Sequence, residues 1–257
     1  MQMSGNTILI TGGGTGIGRG LAEQFHRRGN RVIIAGRRLE PLEETVSANP
    51  GMRFAQFDQT DPEAIREFAT RMVAEYPSLD VVIHNAGIMT AEDVLDPASI
   101  QTAEQTITTN LLGPIRLNTA LLPHLVSRPR AAVLTVTSGI AFMPNADHPS
   151  YGATKAGLHS YTEALRYQLQ DTNVQVIEIV PPYVQTELTG PRQATDPNAM
   201  PLDDFVTETM GILESDPDVT QVLVERVEPL RFAEARNEYD EFFKRYNDAI
   251  RARRNAA

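Results

Sequence analysis

Cysteine is missing from the 257 residues of this chain. Its absence excludes structural disulfides, cysteine-ligated zinc, iron–sulfur clusters and thiol catalysis, and it favours a cytoplasmic protein over a secreted one. The N-terminus has no basic segment followed by an apolar one, so we predict no secretory signal. Uninterrupted apolar runs are shorter than the roughly eighteen residues that a transmembrane helix needs, so we predict no membrane partner.

Positive charge is scarce as well, with 23 Lys and Arg against 33 Asp and Glu and a formal net charge of −10. Nucleic-acid binding requires a cationic surface that displaces counterions, so no nucleic-acid partner is predicted. The histidines are few and show no pair at the spacing of metal ligands, so no metal site is predicted. They are His26, His84, His124, His148 and His159.

The first 180 residues show a regular alternation of two patterns. Short β-branched runs predict strands, and the longer amphipathic stretches between them predict helices. The predicted strands are 7–11, 31–36, 53–58, 81–84, 132–137 and 174–180, and the predicted helices are 17–28, 39–47, 62–76, 97–126 and 151–170. Continuous apolar strands that alternate with helices indicate a parallel sheet covered on both faces, and therefore one doubly wound α/β domain over residues 1–257.

The pattern changes after Val180. Five prolines within residues 181–201 disfavour a helix and predict a loop, with a substrate lid at about 187–205. Beyond it we predict a helix over 202–213, a seventh strand over 220–227 and a terminal helix over 237–253. The expected sheet therefore has about seven strands.

The turn after the first predicted strand is rich in glycine and spans residues 11–18, with the sequence Thr-Gly-Gly-Gly-Thr-Gly-Ile-Gly. Glycines permit positive φ and let the backbone approach a pyrophosphate, while the next helix offers free N–H groups at its N-terminus. The alternative is a tight turn that binds nothing. The spacing Thr-Gly-x3-Gly-x-Gly resembles that of the short-chain dehydrogenase/reductase family, whose fold is Rossmann-like. The cofactor contacts predicted here are Gly12, Thr15, Gly16, Ile17 and Gly18.

Arg37 and Arg38 directly follow the second predicted strand, and no carboxylate stands there. An acidic residue at this place would hydrogen-bond the adenosine ribose of NAD, whereas two guanidiniums suit a 2′-phosphate. We therefore predict NADP(H) as the cofactor, with Arg37 as the stronger contact because it directly follows the strand. The alternative is that both arginines are solvated surface charges.

A second group of residues follows the fifth predicted strand. Tyr151 and Lys155 lie one helical turn apart on one face, and Ser138 stands thirteen residues before Tyr151. A nearby ammonium lowers the pKa of a phenol, which is otherwise about 10, and a serine hydroxyl can bind a substrate oxygen beside it. The alternative is a chance Tyr-x3-Lys pair on an ordinary helix.

The resemblance extends over about residues 7–186 and implies a role for each of these residues. Tyr151 would be the general acid in reduction and the general base in oxidation. Lys155 would lower the tyrosine pKa and hydrogen-bond the nicotinamide ribose, and Ser138 would polarise the substrate oxygen. Asn110 would hold a water that links Lys155 to solvent; the alternative is a buried asparagine that bonds the backbone.

The resemblance also implies cofactor contacts after the third, fourth and sixth strands. They are Asp58 and Gln59 against the adenine, then Asn85, Ala86 and Gly87, then Pro181, Val184 and Thr186, besides Tyr151 and Lys155. Two positions depart from the family pattern, His84 in place of an asparagine and Pro182 in place of a glycine. Proline lacks an N–H and restricts the residue before it, so the backbone path beside the nicotinamide is expected to depart as well.

These features predict an NADP(H)-dependent oxidoreductase that transfers a hydride between the nicotinamide and a small-molecule carbonyl compound or secondary alcohol. Mostly apolar side chains around the predicted site favour a neutral substrate. The candidates for this pocket are Ile88, Met89, Ile140, Phe142, Met143, His148 and Tyr183. Imine reduction on the same scaffold and a non-catalytic NADP-sensing protein are the alternatives.

Two further expectations come from resemblance. The predicted helices 97–126 and 151–170 correspond to the usual dimer face of the family, so a homodimer or homotetramer is expected. Residues 224–233 and 239–247 resemble DltE-type oxidoreductases, a subgroup whose substrate is poorly defined.

Overall fold

A computed structural model describes the backbone of residues 1–255 and the side chains of residues 1–252. Within them the strands are β1 (Thr7–Thr11), β2 (Arg31–Gly36), β3 (Arg53–Gln56), β4 (Leu79–His84), β5 (Ala131–Val136), β6 (Val174–Val180) and β7 (Gln221–Leu223). They form one sheet in the order β3-β2-β1-β4-β5-β6-β7, and each neighbouring pair is parallel. The predicted doubly wound α/β fold is confirmed.

Helices cover this sheet. They are α1 (Gly16–Arg27), α2 (Leu39–Ala48), α3 (Pro62–Glu75), α4 (Ser99–Ile107), α5 (Gly113–Val126), α6 (Pro149–Gln168), α7 (Leu202–Ser215), α8 (Glu228–Phe232) and α9 (Tyr239–Asn255). Local chemistry sets where α3 begins, because Asp61 accepts hydrogen bonds from the amides of Glu63 and Ala64 and Pro62 stands in the first turn. No helix in the described part of the chain has the length and apolar character needed to span a bilayer.

The strands are apolar on both sides because alternate residues enter two separate cores. In β1, Ile8 and Ile10 belong to the core that holds Phe25 of α1 and Phe205 of α7. Leu9 belongs to the opposite core, which α3, α5 and α6 cover. Helices therefore pack on both faces, as the continuous apolar runs predict.

The strand order reverses beside β1, which pairs with β2 on one side and β4 on the other. Segments that leave the carboxyl ends of such strands turn to opposite faces of the sheet and open a crevice, where doubly wound proteins bind nucleotides. The glycine-rich turn after β1 and the segment after β4 meet at this crevice.

Two predicted elements differ from the structure. The predicted helix over 97–126 is interrupted by a π-helical turn over Thr108–Leu112, which separates α4 from α5. Hydrophobic periodicity does not resolve such a local widening of the helix. The predicted strand over 220–227 pairs with β6 only at Gln221–Leu223, and a 3-10 helix over Glu225–Val227 then turns the chain away from the sheet.

Candidate functional site

The turn between β1 and α1 brings the backbone close to the end of β4. Gly12 (φ +66°) and Gly16 (φ +53°) adopt positive φ, and a Cβ on Gly12 would lie 2.8 Å from the Cα of Ala86. Thr15, the N-cap of α1, makes no side-chain capping bond, so the first amides of the helix stay available for an anion. Gly18 serves close packing instead, because a Cβ there would lie 2.2 Å from the carbonyl oxygen of Gly12.

Asn85, directly after β4, holds this turn in place. Its Nδ2 donates to the carbonyl oxygens of Thr11 and Gly12, each at 3.1 Å. The hydroxyl oxygen of Thr11 accepts the amide N–H groups of Asn85 and Ala86, also at 3.1 Å. Asn85, Ala86 and Gly87 line the cavity described below, so the predicted segment after β4 reaches the site, with the Asn85 side chain supporting the turn.

Arg37 and Arg38 follow β2 and line the same cavity. Among the described side chains neither guanidinium forms an ion pair, so both retain their donors for a ligand. A glycine cradle, a helix N-terminus with uncapped amides and two unpaired guanidiniums are what a phosphorylated dinucleotide requires. The residues present at this end therefore fit such a cofactor.

The two residues predicted against the adenine have structural partners of their own. Asp58 is exposed, and its carboxylate accepts the amide and hydroxyl hydrogen bonds of Thr60 at 2.9 and 2.8 Å. Gln59 is buried and lines the cavity, while its Nε2 donates to the carbonyl oxygens of Ala86 and Thr109. Gln59 thus ties the segment after β4 to the π-helical turn, and contact of either residue with an adenine stays a prediction.

The structure brings Ser138, Tyr151 and Lys155 together at the carboxyl end of β5. Ser138 follows this strand, while Tyr151 and Lys155 occupy successive turns of α6, with the lysine Nζ 5.6 Å from the centre of the tyrosine ring. The Ser138 side chain interacts with the Tyr151 hydroxyl and acts to lower its pKa. All three residues are buried, and all three line the cavity.

Burial dominates the electrostatics of this group. It raises the pKa of Tyr151 to about 12, and the opposing effect of the Ser138 side chain offsets only part of this rise. It lowers the pKa of Lys155 to about 8, and the lysine Nζ donates to the carbonyl oxygen of Val136 at 2.7 Å. The tyrosine pKa thus departs in the opposite direction from the one predicted for a phenol beside an ammonium, because burial removes the water that would stabilise the phenolate.

Asn110 lies in the π-helical turn and is buried. Its Oδ1 accepts the Ile88 amide at 2.9 Å, and its Nδ2 donates to the Ile88 carbonyl oxygen at 2.8 Å. A Cβ on Gly87 would lie 3.2 Å from this Oδ1 and 3.8 Å from the Nζ of Lys155, so Asn110 shapes the backbone beside the lysine. The side chain bonds the backbone as its alternative interpretation predicts, and a water relay through this residue stays a prediction.

The segment after β6 closes one side of the cavity. Pro181, Val184 and Thr186 line it, and their contact with a cofactor stays a prediction. The carbonyl oxygen of Pro181 accepts the amide of Gly139 at 2.8 Å. Gln193, which no sequence motif singles out, is buried, and its Nε2 donates to the Val184 carbonyl oxygen at 2.8 Å and to the Thr186 hydroxyl oxygen at 3.1 Å. These bonds hold the predicted lid segment in a defined conformation.

One cavity of about 760 Å³ joins the two groups of residues. One end holds the glycine turn, Arg37 and Arg38, and the other holds the Ser138–Tyr151–Lys155 group. The walls of this second end include the apolar side chains of Ile88, Met89, Ile140, Leu188, Leu230 and Ile250, beside polar ones such as Asn145, His148 and Asp196.

The predicted substrate contacts divide into two groups. His148 and Tyr183 line the cavity, whereas Phe142 and Met143 do not, because they pack into the protein beside it. Several lining residues were not predicted, namely Asn145, Leu230, Tyr246 and Ile250. The helical period of α9 places the last two on one face, but nothing in the sequence indicates what this face covers.

Comparison with known proteins agrees with this geometry. Residues 6–197 match the family model for short chain dehydrogenases. The chain is 39% identical over 255 residues to the uncharacterized oxidoreductase DltE of Bacillus subtilis strain 168, across 96% of this chain and 98% of that protein. It is 33% identical over 175 residues to the NADP-dependent 3-hydroxy acid dehydrogenase YdfG of Shigella flexneri, across 68% of this chain and 71% of that protein.

Solved structures show the same architecture. A short chain dehydrogenase from Burkholderia cenocepacia J2315, crystallised in complex with NADP, matches with a TM-score of 0.78 and 25% identity over 93% of this chain and 96% of that one. The predicted resemblance is therefore confirmed, including the similarity to DltE. The chain belongs to the short-chain dehydrogenase/reductase family of oxidoreductases.

Proposed function

We propose that this chain is an NADP(H)-dependent oxidoreductase that reduces a neutral carbonyl compound or oxidises the corresponding secondary alcohol. The observation that carries the proposal is the single cavity with Arg37 and Arg38 at one end and the Ser138–Tyr151–Lys155 group at the other. A nicotinamide cofactor supplies or accepts the hydride when bound. The NADP complex of the Burkholderia cenocepacia relative and the NADP dependence of YdfG support the choice of cofactor.

Ser138 and Tyr151 would bind the oxygen of the substrate. The Oγ of Ser138 accepts the Ile140 amide at 3.3 Å, which leaves its own proton to donate. Because the pKa of Tyr151 is about 12, its phenol is protonated at neutral pH and can deliver a proton to the developing alkoxide. Lys155, with a pKa of about 8, can exchange a proton near neutral pH and thereby restore the tyrosine proton.

The charges around the substrate end favour a neutral ligand. Glu187 and Asp196 place carboxylates there, and Lys155 is the only Lys or Arg among the described lining residues apart from Arg37 and Arg38. Burial lowers the pKa of His148, against the opposing effects of Asp147 and Glu92, so its ring is neutral at neutral pH. A carboxylate on the substrate would thus meet like charge and few cations.

The first test follows the absorbance of NADPH with methyl acetoacetate and with acetoacetate, which carry the same ketone and differ in charge and by a single methyl group. We expect kcat/KM to be at least about tenfold higher for the ester, because a carboxylate would be repelled. Tyr151→Phe removes the proton donor and should lower kcat by about 10²–10⁴-fold while NADPH still binds. Equal rates for both compounds would contradict the neutral-substrate proposal.

Tight NADPH binding without turnover of any carbonyl would favour the sensing protein, and turnover of cyclic imines alone would favour the imine reductase.

A second test addresses the choice of cofactor. Arg37→Ala should raise the Kd of NADPH about tenfold or more, because charge-assisted hydrogen bonds to a phosphate are strong. The Kd of NADH provides the internal control and should change little, since NADH lacks the 2′-phosphate. An equal loss of affinity for both cofactors would refute the predicted role of Arg37.

We also propose a homo-oligomer that forms through α5 and α6. An open groove between these helices is lined by side chains that include Leu122, Pro123, Val126 and Tyr161. Val126 is 40% exposed, and apolar surface of this kind is usually covered in an assembly. A second copy of the chain would bury it by packing the same two helices.

A further inference from the structure

The C-terminal helix α9 closes the cavity from outside, although it contributes nothing to the Ser138–Tyr151–Lys155 group. One of its faces carries Tyr239, Phe242, Phe243, Tyr246 and Ile250, all of them half-buried. Tyr246 and Ile250 line the cavity. No α9 side chain up to residue 252 is fully buried, so this helix rests on the surface and does not enter either core.

The side chain of Asn247 makes two hydrogen bonds that help to seat this helix. The Oδ1 of Asn247 accepts the Ala146 amide at 2.7 Å, and its Nδ2 donates to the carbonyl oxygen of Pro144 at 3.1 Å. Asn145 stands between Pro144 and Ala146 in the sequence and lines the cavity. Its side chain caps the turn toward α6 by accepting a hydrogen bond from the Asp147 amide. Asn247 therefore joins α9 to the loop that leads directly to Tyr151.

The wall that α9 adds to the cavity favours an apolar substituent on the substrate. Ile250 and Tyr246 bound the cavity together with Leu188, Leu230 and Ile140. An apolar substituent enclosed by such side chains leaves water, and the gain grows with the area buried. A small carbonyl compound would occupy the space at Ser138 and Tyr151 without reaching this wall.

We propose that α9 is the specificity wall of the site, with Tyr246 and Ile250 contacting an extended apolar substituent of the carbonyl substrate and Asn247 as the positioning residue that seats the helix. This inference rests on the proposed function, because it assigns the substrate class of the same site. Surface helices with few buried contacts also open at low cost, so α9 can admit the substrate before it closes over it.

The kinetic experiment compares 2-butanone with 2-nonanone, which share a methyl ketone and differ in the length of the apolar chain. Ile250→Ala and Tyr246→Ala should each lower kcat/KM for 2-nonanone about tenfold, mainly through KM, because apolar contacts in a pocket discriminate at this level. The values for 2-butanone should change less than about twofold, since it does not reach the wall. Lys244→Ala is the matched control, because its ion pair with Asp248 lies on the exposed face of the same helix.

The positioning role of Asn247 has a readout that does not depend on turnover. Asn247→Ala should speed hydrogen exchange of the amides over 243–252 and abolish the preference for 2-nonanone. Asn247→Asp keeps the acceptor for the Ala146 amide and loses the donor to Pro144, so it should restore both properties in part. In the wild-type chain with NADPH, 2-nonanone should slow exchange over 243–252, and 2-butanone should not.

The outcomes separate the two proposals. Equal losses for both ketones in the Ile250 and Tyr246 variants would overturn the specificity wall and leave the oxidoreductase intact. Absence of turnover with either ketone in the wild-type chain would count against the proposed function. Hydrogen exchange would then test whether α9 contacts the apolar substituent. Exchange over 243–252 that is unaffected by 2-nonanone would overturn the inference, and slowed exchange would support it.

Discussion

The buried ammonium of Lys155 should make the protein less stable than a variant that lacks it. Only two lysines occur in the sequence, Lys155 and Lys244. Lys155 is 4% exposed, and its Nζ has the Val136 carbonyl oxygen as its hydrogen-bond partner, whereas Lys244 stands in solvent on α9. The perturbation we choose is Lys155→Met, which keeps the length of the side chain and removes the charge.

The magnitude follows from the pKa. Burial lowers the pKa of Lys155 from 10.5 to about 8 in the folded, cofactor-free protein. This difference corresponds to about 3 kcal/mol by which the charged form destabilises the native state. We therefore expect the free energy of unfolding of Lys155→Met to exceed that of the wild type by up to about 3 kcal/mol at neutral pH, even though activity is lost.

The pH dependence provides a sharper test than the magnitude. Below pH 8 the lysine is charged in both the folded and the unfolded chain, so the wild type carries the full penalty. Between about pH 8 and 10.5 the folded chain releases the proton while the unfolded chain retains it, so the wild type gains stability relative to the variant. The difference between the two proteins should therefore shrink as the pH rises through this range.

Urea denaturation of both proteins at about pH 7, 8 and 9 measures this difference. The pKa itself can be measured by NMR after labelling of lysine, because the chain yields only two lysine signals. Lys244→Met is the control and should change stability by less than about 0.5 kcal/mol, as exposed substitutions usually do. A destabilised Lys155→Met variant, a difference that does not vary with pH, or a Lys155 signal that titrates near 10.5 would refute this reasoning.

Three further perturbations test other parts of the structure. Burial would raise the pKa of Glu178, but hydrogen bonds, first among them that from His159, hold it below its usual range; Glu178→Gln should therefore lower the free energy of unfolding by about 1–3 kcal/mol at neutral pH. Urea denaturation should show this loss disappearing as the pH falls through and below the ordinary range of a glutamate pKa, where the native carboxylate takes up its proton, and a loss independent of pH would contradict it. Gly18→Ala places a Cβ against the Gly12 carbonyl oxygen and should abolish NADPH binding in calorimetry, whereas unchanged affinity would show that the turn can relax. Val126→Glu should shift the sedimenting species toward the monomer, and an unchanged mass would argue against assembly through α5 and α6.

Much of the fold could be predicted because its causes are local. Continuous apolar runs such as those of β1 and β5 can be stable only when both faces are covered, and that requirement leads directly to a parallel sheet between helices. The close approach of Gly12 to Ala86 likewise requires a residue without a side chain, so the glycine pattern indicates where the turn lies. Tyr151 and Lys155 share a face of α6 simply because they are four residues apart.

Other properties depend on residues that are distant in the sequence. The spacing of Tyr151 and Lys155 suggests a lowered tyrosine pKa, yet in the folded chain burial raises it, and burial depends on all the surrounding elements. Hydrophobic periodicity does not predict the π-helical turn at Asn110 either, although this turn positions the backbone beside Lys155. The placement of α9 over the cavity requires contacts between residues about one hundred positions apart, such as Asn247 and Ala146. Spacing along the chain therefore determined which groups are present in this site, whereas packing between distant segments decided how they are protonated and what covers them.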